Sequence, residues 1–220
     1  MRPNRPQQPR RIFQQPSLTL NSVMVLIIIN VVFYLATLVA PKAFYAWGPF
    51  QQVQFDKITY YLGLIPYYLT SRPWTVVTAM FIHANFMHIL FNMIALFFFG
   101  RALRFFVSDN RFLFVYFLGG IVGNLLFVGL DLNALTMVIG ASGAIFAVAG
   151  ALVVIRPRMR ILFWGIIPMP MWLFTVVFLG ILVLPGVAPA GIAWQAHLGG
   201  LATGLAVGYF YRRRLRMFVF

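Results

Sequence analysis

Three histidines, five serines and three carboxylates leave this chain few ways to do hydrolytic chemistry, so the position of each matters. The histidines are His83, His88 and His197, and Asn92 follows His88 by four residues, on the same face of any helix they share. Ser142 stands in Gly140-Ala141-Ser142-Gly143 and alone among the serines opens an apolar run. Ser17 and Ser22 lie at the start of the first such run, and Ser71 and Ser108 fall between runs. A serine hydroxyl is a weak nucleophile until a neighbouring imidazole takes its proton. A helix beginning at Ser142 would add unpaired N–H groups and the positive end of the helix dipole, which suit a developing oxyanion. The absence of cysteine excludes a thiol nucleophile, a thiolate metal site and a disulfide scaffold.

These residues need elements to carry them. Hydrophobic residues make up 62% of the 220 and charged residues only 9%, against about 25% charged in soluble domains. That balance excludes a water-soluble globule and a disordered chain, and predicts an all-α polytopic membrane protein. About 20 apolar residues cross a bilayer core of about 30 Å. The runs predict six spans: 18–40, 85–106, 111–130, 142–155, 163–184 and 193–211. Residues 1–17, rich in Pro, Gln and Arg, read as a disordered basic segment, and 212–220 as a basic tail. The stretch 41–73 carries Phe44, Tyr45, Trp47, Tyr60, Tyr61, Tyr67 and Tyr68 and reads as an interfacial loop, since Tyr and Trp favour the headgroup level.

A net charge of +14 could signal nucleic acid, but its placement points to topology. With six spans, fourteen cationic side chains share a side with both termini, and only Lys42, Lys57 and Arg72 face the other way. The positive-inside rule then puts both termini in the cytoplasm of a multi-pass cell-membrane protein, with the arginines against anionic lipid and no nucleic-acid partner. Spans two, four and six all start on the non-cytoplasmic side. His88, Asn92, Ser142 and His197 therefore lie within one to two turns of the same membrane face, at about 1.5 Å per residue. Polar side chains gathered at one depth in lipid mark function by default.

The stretches His83-x4-His88-x3-Asn92, Gly140-x-Ser142-Gly143 and Ala196-His197-x2-Gly200-x3-Gly204 resemble, in motif and order, the rhomboid family of intramembrane serine proteases. The resemblance spans about residues 18–214 and implies a six-helix rhomboid-like bundle with no cofactor and no metal. It implies Ser142 as nucleophile and His197 as general base of a dyad. His88, Asn92 and the Ser142 N–H would form the oxyanion hole. Gly140 and Gly143 would frame the serine, Phe146 would pack on the catalytic imidazole, and His83 would support the site edge. Gly200 and Gly204 would let spans four and six approach closely. Substrates would be transmembrane proteins with a helix-destabilising segment near the outer face. They would gain access beside span five (Trp172, Phe174, Phe178) or through the loop 185–191.

Three positions depart from the family pattern. Trp74-Thr75 replaces its Trp-Arg, Leu103-Arg104 replaces its Leu-Glu, and Phe146 replaces its tyrosine. None removes a reacting atom. Asp131 lies on the histidine side but reads as a loop residue rather than a partner of His197. A channel or transporter is disfavoured, since the spans show no repeat with broken helices in matched positions, and two other readings compete. One is an inactive relative that binds membrane clients. The other is a metalloprotease on His83, His88 and His197, which the total lack of glutamate disfavours. The fourth span adds a constraint: about fourteen residues reach only about 21 Å. Ser142 would then lie below the outer surface, where water must reach it through a cavity.

Overall fold

The structure, a computed structural model, describes residues 21–47, 49, 51–163, 166–189 and 191–217. The basic segment 1–17 lies outside the described residues. The chain is mostly helical, with two short antiparallel hairpins. Helix α1 (Ser22–Val39) is capped by Asn21, whose side chain accepts from the Met24 N–H. The hairpin β1 (Lys42–Trp47) and β2 (Gln51–Asp56) follows, then α2 (Lys57–Leu62), a turn at Pro66–Tyr68, α3 (Thr75–Thr78) and a turn at Ala79–Phe81. Next come α4 (Phe86–Phe106), α5 (Asp109–Leu130) and α6 (Ser142–Ile155). A second hairpin, β3 (Arg160–Phe163) with β4 (Ile167–Pro170), leads into α7 (Met171–Phe174) and π-helical turns at Thr175–Leu179. The last helix is α8 (Trp194–Met217).

Among the described residues α1, α4 and α5 are long and apolar enough to cross a membrane by length and composition. The helix expected over 163–184 is not formed as such. Pro168 and Pro170 cannot sit inside a helix, because each lacks an N–H and its ring clashes with the preceding turn. The chain instead pairs as β3–β4 and starts its helix at Met171, ending near residue 181. The aromatic stretch 41–73 likewise holds a hairpin, whose β2 sequence Gln-Gln-Val-Gln-Phe-Asp alternates with the period of a strand. At the other end, α8 continues past residue 211 to Met217.

Helix α6 is the axis of the bundle. Gly143 through Leu152 are all buried, by α4, α5, α8 and the α7 segment. Lipid supplies no hydrophobic drive between helices, so close backbone packing has to hold them together. Small residues permit it. A Cβ at Gly200 would stand 2.0 Å from the Gly143 carbonyl oxygen, one at Gly204 2.0 Å from that of Ala147, and one at Gly208 2.8 Å from that of Ala151. Gly119 and Gly123 do the same for α5, against Ala147 and Ala196. Arginines gather at the far end of this bundle: Arg212 donates to the Val154 carbonyl at 3.2 Å, and Arg156 lies over Phe106. Arg104, the departure at the end of α4, pairs with Asp109 and thereby ties α4 to the start of α5.

Candidate active site

Gly140 turns the chain into α6 with φ at +118°, a conformation that favours glycine, and its N–H donates to the Ala79 carbonyl at 2.8 Å. A side chain there would also strike the His88 ring, since a Cβ would lie 2.7 Å from Nε2. A two-way bridge between Leu64 and Val138 fixes the approach to this turn. Ser142 therefore opens α6 with its hydroxyl beside α8. The first amides of that helix have no acceptor within it.

His197 projects from the first turns of α8 and is 6% exposed. Its Nε2 lies 2.7 Å from Ser142 Oγ, and its Nδ1 lies 3.1 Å from the Leu182 carbonyl oxygen. A carbonyl can only accept, so Nδ1 carries the hydrogen and Nε2 presents a lone pair. The Ser142 O–H therefore donates to Nε2. The Phe146 ring, one turn below Ser142, stacks on the imidazole at 4.2 Å between centroids and 10° between planes.

His88 has the opposite tautomer. The Ala84 N–H donates to its Nδ1 over a long 3.4 Å, which leaves Nε2 as the N–H donor beside Gly140. Asn85 caps α4 by accepting from the His88 N–H at 2.9 Å. Asn92 donates one amide hydrogen to the His88 carbonyl at 2.8 Å and keeps its second. A cavity of about 830 Å³ is lined by Ser142, His197, His88 and Asn92, together with Gly140, Gly143 and Phe146. In that space lie a hydroxyl, a bare imidazole nitrogen and several N–H donors, the parts needed for acyl transfer.

His83 does not reach this cavity. It is buried, and its ring lies edge-on to His88 at 5.0 Å. Burial, helped by the neighbouring His88, pushes its imidazole down to about 3, so it is neutral at physiological pH. Gly200 and Gly204 lie outside the cavity too, in the α6–α8 seam. Asp131 accepts from the Asn133 N–H in its own turn. Among the described residues no three His or Asp side chains converge as a metal site. Two contributors carry no motif. The Leu182 carbonyl is a backbone atom and has no letter of its own in the sequence. Arg72 lies two residues before Trp74. It donates to the Tyr60 carbonyl at 2.9 Å and sits over the rings of Tyr60, Tyr68 and Tyr61 at 4.1–5.1 Å. A cation thus sits among the aromatic rings of this loop, two residues before Trp74 rather than directly after it.

With this geometry in view, the comparisons define a class. The sequence description of the rhomboid domain matches residues 70–214, and the chain belongs to the rhomboid family of membrane proteins. It is 33% identical over 138 residues to the rhomboid YdcA of Bacillus subtilis, covering 62% of this chain and 66% of that protein. Rhomboid-like protease 5 of Toxoplasma gondii is 35% identical over 151 residues, 65% of this chain and 17% of that one. Rhomboid protease GluP of Bacillus subtilis is 32% identical over 132 residues, 60% of this chain and 24% of its own. The chain thus spans less than two thirds of the length of each.

Proposed function

We propose that this chain is an intramembrane serine endopeptidase that cuts transmembrane proteins near the outer membrane face by a Ser142–His197 dyad. The observation that carries the reading is the 2.7 Å approach of Ser142 Oγ to His197 Nε2, with Nδ1 committed to the Leu182 carbonyl. In this reading Oγ attacks the scissile carbonyl as Nε2 takes its proton, and the imidazolium returns that proton to the departing amine. The oxyanion forms between the Ser142 N–H, His88 Nε2–H and the free amide hydrogen of Asn92. Three relatives whose names describe rhomboid or rhomboid-like proteases support the activity.

The six crossings are α1, α4, α5, α6, the segment 171–181 and α8, and two of them are short. The arginine-rich end of the bundle faces the cytoplasm against anionic lipid, and both termini lie on that side. A substrate must unwind locally, because helical backbone has its amides and carbonyls engaged.

The test is cleavage of a single-span model substrate by the purified protein in liposomes, with and without chelator. Ser142→Ala and His197→Ala are expected to lower turnover by at least about 10³-fold, and chelator to change nothing. Wild-type protein that neither cleaves nor reacts with a fluorophosphonate would make it an inactive relative that binds membrane clients.

A further inference from the structure

The hairpin β3–β4 stands at the end of the bundle away from the dyad, just after α6 stops at Ile155. Its base is fastened on both sides. The Met159 N–H donates to the Arg156 carbonyl at 3.1 Å, and the Met171 and Trp172 N–H groups donate to the Met159 and Pro157 carbonyls at 2.9 and 3.1 Å. The strand period divides its faces. Ile161 packs on the core of the bundle, while its neighbours Arg160 and Leu162 are exposed. Towards the tip the bare surface is apolar: Leu162 is 64% exposed, Ile166 79% and Ile167 52%. At the base Arg156, Arg158 and Arg160 are all exposed.

No acid of the chain answers these arginines. It has three side-chain carboxylates. Asp109 pairs with Arg104, Asp56 caps α2 at the Thr59 N–H, and Asp131 accepts within its own turn. Counter-charge for the base must come from outside the chain, together with an apolar partner for the tip. A leaflet containing anionic phospholipid supplies both, phosphate at the headgroup level and acyl chain beneath it. An added protein strand fits poorly. Proline cannot donate to a ladder, so Ile167 and Met169 carry the pairing with β3, and the outer edge of β4 offers no N–H at Pro168 or Pro170.

We propose that β3–β4 is a membrane anchor selective for anionic phospholipid, in which Arg158 and Arg160, with Arg156, hold headgroup phosphate while Leu162, Ile166 and Ile167 enter the acyl layer. A guanidinium can bridge two phosphate oxygens with parallel N–H bonds. Through the Met171 and Trp172 amides the anchor also fixes where α7 begins relative to the bilayer surface. Its place in the cytoplasmic leaflet follows from the orientation proposed above, but the anchor itself requires neither that orientation nor protease activity.

The chain has no cysteine, so Ile166→Cys carries a single fluorophore. The full chain is reconstituted at low density in vesicles of equal phosphatidylcholine and phosphatidylglycerol, the same in both leaflets, with bromine on the shallow acyl carbons of one lipid or the other. The ratio of quenching by brominated phosphatidylglycerol to quenching by brominated phosphatidylcholine reads local enrichment. An arginine near an anionic surface favours binding by about fivefold, so a preference of at least about threefold is expected at residue 166. Arg158→Gln/Arg160→Gln should remove most of it, and so should high salt, which tests the same arginines without a substitution. A label at Val32→Cys, exposed in the middle of α1, should show no preference. Equal quenching by the two lipids at 166, or the same preference at 32, overturns the proposal. So does quenching by aqueous iodide as strong as that of free dye, which puts the hairpin in water and fits a soluble acidic partner. Self-quenching that rises with protein density puts a second copy there instead. Loss of the preference in inorganic phosphate, but not in sulfate of equal ionic strength, makes it a phosphate site and not a lipid anchor.

Discussion

The main cavity has two walls built by opposite rules. On one side α6 and α8 meet backbone to backbone, with the carbonyls of Gly143 and Ala147 pressed against Gly200 and Gly204. On the other side α4 faces the segment 171–181 through large rings, Phe99 on Phe174 at 5.5 Å and Phe174 on Phe178 at 5.4 Å. That segment follows the two prolines of β4, runs through π-helical turns and exposes Trp172, Val176 and Ile181. Proton transfer tolerates little error in distance, and the proposed nucleophile and base, Ser142 and His197, sit on the stiff wall. In the proposed function a substrate helix would enter from lipid past this ring-lined wall, where side chains rather than backbone make the contact. One atom crosses the division: the Leu182 carbonyl that sets the His197 tautomer belongs to the loose side.

The largest effect should come from forcing the stiff wall apart. In Gly204→Val the new Cβ would start 2.0 Å from the Ala147 carbonyl oxygen, and nothing flexible is there to yield. Helix α8 must move away from α6, taking His197 from Ser142. A misplacement of about 1 Å costs on the order of 10²-fold, so fluorophosphonate labelling and substrate turnover should both fall at least that far. Gly208→Ala, at the far end of the same seam, should cost stability with much less loss of labelling. Equal labelling of Gly204→Val and wild type would show that the seam does not set the dyad.

The loose wall should respond differently. The chain contains no cysteine, so a Phe99→Cys/Phe174→Cys pair can form only the engineered bridge between α4 and α7. Oxidation is expected to cut cleavage of a transmembrane substrate roughly tenfold while a small fluorophosphonate still labels Ser142, and reduction should restore cleavage. Undiminished cleavage in the bridged form would exclude this wall as the route in, leaving the loop 185–191.

The same contrast explains what could be read from the sequence. The stiff wall was legible because its devices are residue types: small residues four apart in α8, and polar letters rare enough to stand out in an apolar chain. The structure brings Ser142, His197, His88 and Asn92 to one cavity, where topology alone places them at one depth. The loose wall was not legible. Its apolar content reads as a full-length span, and Pro168 and Pro170 count for little in a hydropathy sum although they end any helix through them. The Leu182 carbonyl is invisible for a different reason, since every residue has one. In the aromatic loop the strand period was present in Gln51–Asp56, but tyrosine and tryptophan suit an interfacial loop equally well. Arg72 was visible as a charge and not as an anchor, because what it sits on depends on how the loop folds.

Arg72 tests whether that loop belongs with the stiff wall or the loose one. Its guanidinium is held by one carbonyl and three tyrosine faces, and Trp74 adds a bond from Nε1 to the Tyr61 carbonyl at 3.0 Å. Among the described residues the loop reaches the site through backbone, by the Leu64–Val138 bridge and the Ala79 carbonyl on Gly140, and through the side chain of Phe55, which lines the main cavity. Cation–π contacts are worth about 0.5–2 kcal/mol according to their exposure, so Arg72→Gln should lower unfolding free energy in mixed micelles by about 1–2 kcal/mol. Arg72→Lys should recover only part of this, because an ammonium keeps the charge but cannot stack its plane on a ring while donating sideways to a carbonyl. Turnover at saturating substrate should stay within about threefold in both, since no reacting group moves. A collapse of kcat comparable to that of Gly204→Val would instead mean that the loop holds the Gly140 turn as rigidly as the helix seam holds His197, making the hairpin side a second stiff wall.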